Sequence, residues 1–405
     1  MESLKKIVKY PNIGLILLSF IAFIALGMPD GLLGVAWPSM RASFSVPLDA
    51  IGMLISASVL GYLTSSFLSG PLISRLGVGK VLAISCFLTG VPLVLYTIIP
   101  VWWLVVLMGV MGGLGAGAID AGLNAYVAAN FGEGLMQWLH ASYGIGITLG
   151  PIIMTLSLAN IGSWQTGYRV VGCFQLILAA CFTLTLPVWK KKAGSNEEEE
   201  KLITEYKTPL LETLRQPRVW LSMLLFFLYV GAETSLGTWA YSLLTEARGV
   251  DPTAAGFITS SYWATFTIGR IIAGLFTKKI GGKSLLQGSL LAALLGTLLL
   301  LGNLSEVMNL LAVALIGFAI APIFPALMSG TKNRVGSRFA ANTIGMQMAS
   351  SGLGTGLIPG LLGVLARRFS LEIIPICLVI MFAALFVVYR LSLRKKKTVD
   401  GENAL

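Results

Sequence analysis

The sequence predicts an all-α polytopic membrane protein, with twelve transmembrane helices divided into two six-helix bundles. Hydrophobic residues make up 56% of the 405 residues and charged residues 12%, whereas a soluble domain carries about 25% charged residues. Apolar runs of about 18 residues or more recur along the chain, and each can cross a hydrocarbon core of ~30 Å. A turn containing glycines and cations also recurs at the same place in each half. A β-barrel would instead show short segments of alternating polarity.

The hydropathy pattern sets the positions of the spans. We expect them near residues 12–37, 48–74, 80–99, 102–130, 136–160, 166–188, 218–245, 254–277, 284–302, 307–330, 339–365 and 371–391. The first apolar run is longer than that of a cleavable signal peptide, so we interpret it as a retained span.

The distribution of basic residues sets the orientation. The even number of spans and the alternating clusters of Lys and Arg place both termini in the cytoplasm and the protein in the cell membrane. Arg367 and Arg368 are exceptions on the predicted outer side. The net charge of +11 therefore reflects topology and does not indicate a nucleic-acid partner.

One long polar segment divides the chain into its two bundles. It covers residues 190–217, so the N-terminal bundle is 1–189 and the C-terminal bundle is 218–405, which ends in a short basic cytoplasmic tail. The acidic run Glu197–Glu200 within it is more typical of a solvated linker than of a binding tail.

The repeated turn carries a resemblance to a known family. Gly70, Leu72, Arg75, Gly77 and Lys80 follow span 2, in a pattern that resembles the signature loop G-x-L-x-D-R-x-G-R-K of the major facilitator superfamily. A serine stands where that signature has Asp, and a similar turn, residues 274–283, follows span 8. The resemblance implies two parallel six-helix repeats, with substrate bound between them in a cavity lined by spans 1, 4, 7 and 10. Such sites are often built where helices are interrupted. Glycines and prolines in spans 1, 4 and 10 predict interruptions there, with close helix packing as the alternative explanation of the glycines.

Two carboxylates are the strongest functional signal in the sequence. Asp30 lies in span 1, within a Gly-Met-Pro-Asp-Gly segment, and Asp120 lies in span 4. An ionisable group at membrane depth is costly and usually marks a substrate or proton pathway. The middles of these spans contain no Lys or Arg that would neutralise a structural acid. By helical rise we expect Asp30 in the outer half of span 1 and Asp120 in the inner half of span 4, with Asp30 near substrate and Asp120 as proton acceptor.

Span 4 narrows the family resemblance. The segment from Asp120 through Asn124 to Tyr126 and Val127 resembles the fucose permease pattern, in which a Glu is followed by Asn and then by an aromatic-Val pair. Span 7 up to Glu233 is similar to the same group. This resemblance implies proton-linked sugar uptake with essential carboxylates on spans 1 and 4.

Further candidates come from the polar and aromatic residues near the expected cavity. Glu233 could bind sugar hydroxyls or pair with Arg270 or Arg169, and Arg270 could instead anchor span 8. His140 is a candidate proton relay, with a capping or packing role at the start of span 5 as the alternative. The remaining predicted substrate-binding residues supply amides, which bind hydroxyls, or rings, which pack on sugar C–H faces: Asn124, Tyr126, Tyr143, Trp239, Asn342 and Gln347.

These features predict a secondary active transporter that moves a sugar or sugar-like solute together with protons. The main alternative is a proton-coupled exporter of drugs or lipophilic compounds, because Gly146 through Pro151 resembles half of the exporter signature G-x-x-x-G-P. A sensor on the same scaffold is a weaker alternative. We expect no enzymatic activity and no cofactor. The expected partners are a small solute, protons and the lipid bilayer, and we expect the chain to act as a monomer.

Overall fold

The computed structural model describes residues 13–130, 133–190 and 209–393. The described part contains sixteen α-helices, a short 3₁₀ helix at Leu48–Ala50 and a π-helical turn at Leu243–Ala247 that continues α9. The α-helices are α1 Ile13–Phe44, α2 Ile51–Leu76, α3 Val78–Leu95, α4 Trp102–Asn130, α5 Glu133–Ile161, α6 Trp164–Leu184, α7 Leu186–Lys190, α8 Leu210–Leu214, α9 Pro217–Ser242, α10 Pro252–Ile280, α11 Gly282–Gly302, α12 Glu306–Ile320, α13 Ile323–Ser329, α14 Thr331–Val335, α15 Ser337–Arg368 and α16 Ile373–Ser392.

The predicted fold class is confirmed. Eleven helical segments in the described part are long and apolar enough to cross a membrane, and α10, with 29 residues, lies at the position of the predicted eighth span. The predicted end of span 1 at residue 37 was wrong, since α1 continues through Pro38 to Phe44. Proline is tolerated inside membrane helices where neighbouring helices satisfy the freed backbone groups. Most of the predicted linker lies outside the described residues.

The two halves repeat the same packing. In each half the first span packs on the fifth, the second on the fourth, and the third on the fourth and sixth. The predicted repeated turn also has one backbone geometry, because Gly77 and Gly281 both adopt φ 80°. This left-handed region is open to glycine at little cost, which explains why both turns contain glycine at that position.

Glycines in the cavity spans allow close helix crossings. In α4, side chains at Gly113 and Gly117 would meet the carbonyl oxygens of Ser58 and Tyr62 on α2. The helix interruptions that we predicted in spans 1 and 4 are absent, since α1 and α4 are each continuous. The interruption predicted in span 10 is present, where α12 ends at Ile320 and α13 begins at Ile323.

Contacts between the two halves run along α5 and α10, where Gly144 lies against Thr267, and also gather at one end of the bundle. We call this end the loop end, because it carries the α1–α2, α3–α4 and α5–α6 connections and their counterparts; the opposite end, which carries residues 190 and 209, is the linker end. At the loop end Arg41 pairs with Glu246, and Asp49 lies 3.2 Å from Arg367. These pairs hold the halves together across the loop end.

Further loop-end contacts involve α2 and α15. The Ser56 hydroxyl donates to the Gly356 carbonyl at 2.7 Å. One turn nearer the loop end, a Cβ built on Gly52 would lie 2.6 Å from the Gly360 Cα, so the two backbones touch. Any opening of the loop end must separate α2 from α15.

Candidate functional site

Asp30 is placed by a glycine-based crossing of α1 and α5. Side chains at Gly27 and Gly31 would collide with the α5 backbone at Tyr143 and Ile147. The Tyr143 hydroxyl consequently reaches Asp30 and donates to Oδ2 at 2.7 Å. Asp30 is exposed although it lies near the middle of a membrane helix. A water-accessible cavity therefore reaches it, and the loop-end contacts direct the opening of that cavity toward the linker end.

Asp120 accepts hydrogen bonds at both carboxylate oxygens. The Tyr62 hydroxyl on α2 donates to Oδ2, and the Asn124 amide, one turn along α4, donates to Oδ1 at 2.8 Å. Among the described residues Asp120 forms no ion pair. Because both of its oxygens face hydrogen-bond donors and no cation in the described part of the chain pairs with it, the Asp120 carboxylate is positioned to accept hydrogen bonds.

His140 interacts electrostatically with groups in both halves of the molecule. It interacts electrostatically with Asp120 in its own half and with Arg270 on α10, and its ring meets Phe23 edge-on at 5.9 Å. His140 is exposed, so it lies in the space between the halves. The capping alternative for His140 was wrong, because α5 begins two turns earlier at Glu133.

Glu233 is the corresponding acid of the C-terminal half. It lies fourteen residues before Ala247, the end of the π-helical turn that continues α9, and Asp30 lies fourteen residues before Phe44, the end of α1. Tyr143, which binds Asp30, also interacts electrostatically with Glu233. Tyr143 therefore lies within electrostatic reach of the acids of both span 1 and span 7.

Tyrosines surround Glu233. The Tyr262 hydroxyl donates to the Glu233 backbone carbonyl at 2.8 Å. The Tyr229 hydroxyl contacts the Glu233 side chain and donates to the Ile320 carbonyl at 3.0 Å. Ile320 is the last residue of α12, where carbonyl groups lack helical partners. Tyr229 thus joins the acid to the break in span 10.

Arg270 is the cation of this site. It interacts electrostatically with Glu233 without forming an ion pair among the described residues, and its guanidinium lies 4.3 Å from the centre of the Phe266 ring. Its Nε has no hydrogen-bond partner in the described part of the chain. The other suggested partner of Glu233, Arg169, instead donates to Thr97 at 3.0 Å within the N-terminal half.

The depths predicted for the two aspartates need one correction. Because α1 runs to Phe44, Asp30 lies near its middle and not in the outer half. Asp30 and Asp120 also interact electrostatically. The two carboxylates therefore belong to one connected polar cluster, although each has its own tyrosine donor.

Two aromatic residues predicted to bind substrate lie in helix contacts outside this cluster. Tyr126 is 5% exposed and packs on Trp189, with ring centres 4.6 Å apart. Trp239 is fully buried and donates from Nε1 to the Pro359 carbonyl at 3.0 Å. Both rings are accounted for by packing within one half.

The two predicted amides of span 11 also make structural contacts. Asn342 donates to Thr213 of α8 at 3.0 Å. Gln347 is fully buried and binds Ser222 and Thr331 at 2.6 and 3.0 Å. The same network holds the buried Arg334, whose pKa burial lowers to about 10.

Sequence reasoning missed the tyrosines that organise the acids. Tyr62 lies in span 2, outside the four expected cavity spans, and Tyr262 lies in span 8. Each tyrosine reaches an acid because of the way its helix crosses a neighbouring helix, and glycine contacts allow these crossings. The glycines that allow the α2–α4 crossing were the sequence feature that could have pointed to Tyr62.

The assembled site presents acids, hydroxyls and one guanidinium to a cavity between two half-bundles. Its members are Asp30, Tyr62, Asp120, Asn124, His140 and Tyr143 from the N-terminal half and Glu233 and Arg270 from the C-terminal half, while the fully buried Tyr229 and Tyr262 hold Glu233 in place. Such a set can hydrogen-bond a polar solute and can hold or release protons.

Comparison with curated proteins gives distant relatives along most of the chain. A yeast protein, Bypass of stop codon protein 6 of Saccharomyces cerevisiae, is 24% identical over 92% of this chain and 82% of its own length. The human Sodium-dependent glucose transporter 1 is 22% identical, over 86% of this chain and 73% of its own. The Bacillus subtilis Glucose/mannose transporter GlcP is 21% identical over 96% of both chains.

Solved structures share the fold. The nucleoside transporter NupG superposes with a TM-score of 0.77 at 16% identity, covering 95% of this chain and 99% of NupG. A bacterial homologue of the human lysosomal transporter Spinster, in an inward-facing and occupied conformation, gives 0.73 at 14% identity, over 94% and 97% of the two chains.

The family assignment rests on a match to the whole chain. The sequence model of the Major Facilitator Superfamily matches residues 15–243 and again 223–404, one match for each six-helix half. Relatives and structural neighbours carry the names of transporters, in agreement with the prediction that the protein is a membrane transporter of small solutes and not an enzyme. The chain belongs to the Major Facilitator Superfamily.

Proposed function

We propose that this protein is a proton-coupled symporter of a sugar or sugar-like solute. The observation that carries the proposal is the cluster around Asp30, Tyr143 and Glu233, in which acids from both halves share one cavity. A solute bound there contacts both half-bundles, as alternating access requires.

The chemistry of the cluster favours a solute with many hydroxyl groups. Sugar hydroxyls both donate and accept, so they can donate to Asp30 and Glu233 and accept from Arg270. The names of two relatives, a glucose/mannose transporter and a sodium-dependent glucose transporter, point the same way. The site thus supports the fucose permease resemblance, while the specific sugar is left to experiment.

We assign different roles to the two aspartates. Asp30 is exposed to the cavity and has one tyrosine donor, so it is the substrate-side carboxylate. Asp120 is enclosed by donors on both oxygens, so it is the proton acceptor, with His140 as its neighbour on the cavity side. Proton binding would neutralise Asp120 when the site must close.

We further propose that the linker end faces the cytoplasm and that the chain works as a monomer in the cell membrane. The positive-inside distribution supports this orientation. With the loop end closed by Arg41–Glu246 and Asp49–Arg367, the described conformation is then open to the cytoplasm.

The glycines of the partial exporter signature make a structural contact in this protein. Side chains at Gly146 and Gly150 would meet the Ile24 and Met28 carbonyls of α1. The partial exporter signature is thereby explained by the α1–α5 crossing that positions Asp30. No drug-binding role is needed for these glycines.

Reconstitution in proteoliposomes tests the proposal. We expect counterflow of D-glucose or another member of a sugar panel, and alkalinisation outside when sugar enters, which Asp120→Asn abolishes. Replacing sodium by choline separates proton coupling from sodium coupling: uptake that requires sodium and moves no protons would reject the proton. Export of a cationic dye from cells against its gradient, with no movement of any sugar, would reject symport altogether.

A further inference from the structure

Among the described residues, Tyr62 is the one donor to Asp120 that comes from a different helix. Asn124 lies one turn along α4 and moves with Asp120, whereas Tyr62 belongs to α2. A hydrogen bond to an ionised carboxylate is about twice as strong as a neutral one. The Tyr62 bond therefore ties α2 to α4 more tightly when Asp120 carries its charge.

The same helix makes one of the contacts between the two halves. Ser56 donates to Gly356 of α15 at 2.7 Å and lies six residues before Tyr62, or roughly 9 Å along the helix. Gly52, a further turn away, touches Gly360. A single rigid element thus joins the proton site to the loop-end contact.

We infer that Tyr62 is a positioning residue, which passes the protonation state of Asp120 to the contact between α2 and α15. The inference rests on the proton coupling proposed above. Proton binding adds one proton from water to a carboxylate oxygen of Asp120. The hydrogen bond from Tyr62 then loses its charge assistance, so α2 is held less firmly against α4. The equilibrium between the closed and open loop end consequently moves toward the open state.

The surroundings of Asp120 contain few other groups that titrate. Asp30 on α1 and His140 on α5 interact with it electrostatically. On α3 the titratable side chains are Lys80, which is exposed, and Cys86, which is buried in an apolar cluster. On α2 the direct partner is Tyr62. Asp120→Asn thus separates the response of Asp120 from that of Asp30 and His140.

Spin-label distances test the inference without any sugar. The labels are attached to Val101→Cys and Leu304→Cys, two exposed loop-end positions in different halves, in a chain whose native cysteines are replaced. The distance distribution is recorded from about pH 5 to about pH 9, where a carboxyl in a protein interior and a histidine titrate. The loop-end-closed population of the wild type is expected to rise with pH.

The variants give distinct outcomes. A hydrogen bond to a charged group corresponds to a change of about tenfold or more in the closed-to-open ratio. Tyr62→Phe keeps the ring and removes the hydroxyl, so we expect its ratio to vary with pH much less than in the wild type, as in Asp120→Asn. The control Tyr96→Phe, a buried tyrosine that stacks on Tyr168, is expected to keep the full response.

A full pH response in Tyr62→Phe would overturn the inference. So would a closed-to-open ratio that is lower by the same factor at every pH, because such a shift keeps the pH dependence and indicates a purely structural role. If Tyr62→Phe does not give a folded protein by size-exclusion chromatography, Tyr62→Leu must show the flattened response. A wild type that does not respond to pH overturns the inference and proton coupling together. A pH response without sugar transport overturns only the proposed substrate.

Discussion

In the N-terminal half α2 crosses α4 at Gly113, where a side chain would meet the Ser58 carbonyl; in the C-terminal half α10 crosses α12 at Gly317, where it would meet the Tyr262 carbonyl. The acids of spans 1 and 7 also lie at matching positions, Asp30 and Glu233. The two halves thus repeat their helix crossings and one acid of their cavity.

The charges around these acids differ between the halves. Asp30 and Asp120 have tyrosine or amide donors and no ion pair among the described residues. The C-terminal half places Arg270 in electrostatic contact with Glu233, although the two form no ion pair among the described residues. The N-terminal half thus surrounds its acids with neutral hydrogen-bond donors, which suits proton exchange, whereas the C-terminal half places a guanidinium near its acid, which suits solute binding.

The largest effect is expected from Asp120→Asn. A gradient of about one pH unit corresponds to about tenfold accumulation per coupled proton, and this accumulation is expected to vanish while sugar counterflow continues. The measurement compares pH-driven uptake with counterflow in the same proteoliposomes. Asp251→Asn is the matched control, since Asp251 only caps the start of α10 by accepting from Thr253 and Ala254. Retained accumulation in Asp120→Asn would remove the proposed difference between the halves.

Glu233→Gln and Arg270→Gln are expected to weaken sugar binding without uncoupling. Loss of one hydrogen bond to a charged group costs about 1.5–3 kcal/mol, or roughly 10- to 150-fold in affinity. Affinity is measured by competition in counterflow, and coupling by proton movement at saturating sugar. Glu306→Gln, an exposed loop-end position, serves as control. Uncoupling by Glu233→Gln would show that both halves carry protons.

Gly113→Ala and Gly317→Ala are expected to destabilise the two halves to a similar extent. Inserting a methyl group into a packed crossing typically costs about 1–3 kcal/mol. Gly112→Ala is the control, because its nearest neighbour, Pro92, is 3.8 Å from the added carbon. Thermal unfolding in detergent measures the loss. Tolerance of either crossing variant would show that the repeated packing is looser than the structure indicates.

The smallest effect is expected at the loop-end pair Arg41–Glu246. Both side chains are about one-third exposed, and exposed ion pairs contribute about 0–1 kcal/mol. Arg41→Glu is expected to lower the closed-state population by no more than about fivefold, less at high salt, and the double variant with Glu246→Arg to restore it. Spin-label distances at the loop end measure this change. An unchanged population in Arg41→Glu would assign closure to the other contacts between the halves, Asp49–Arg367 and α2–α15 among them.

The spans, the repeated glycine turns and the intramembrane acids could be predicted from the sequence, because each depends only on local hydropathy, turn geometry or charge. The sequence did not predict Tyr62, since a tyrosine in span 2 gains meaning only when the α2–α4 crossing brings it to Asp120. It also could not separate Asn124, which binds Asp120, from Gln347, which fills a buried network around Arg334. Both are amides in apolar helices, and only tertiary contacts distinguish them.

The break between α12 and α13 gives the C-terminal half a joint. The hydroxyl of Tyr229 holds the last carbonyl of α12 beside Glu233, whereas α4, the counterpart in the other half, runs unbroken past Asp120. We expect the linker-end segment of span 10 to change its tilt while α12 stays packed. Sugar exchange would then involve a local bend in one half in addition to the rocking of two rigid bodies.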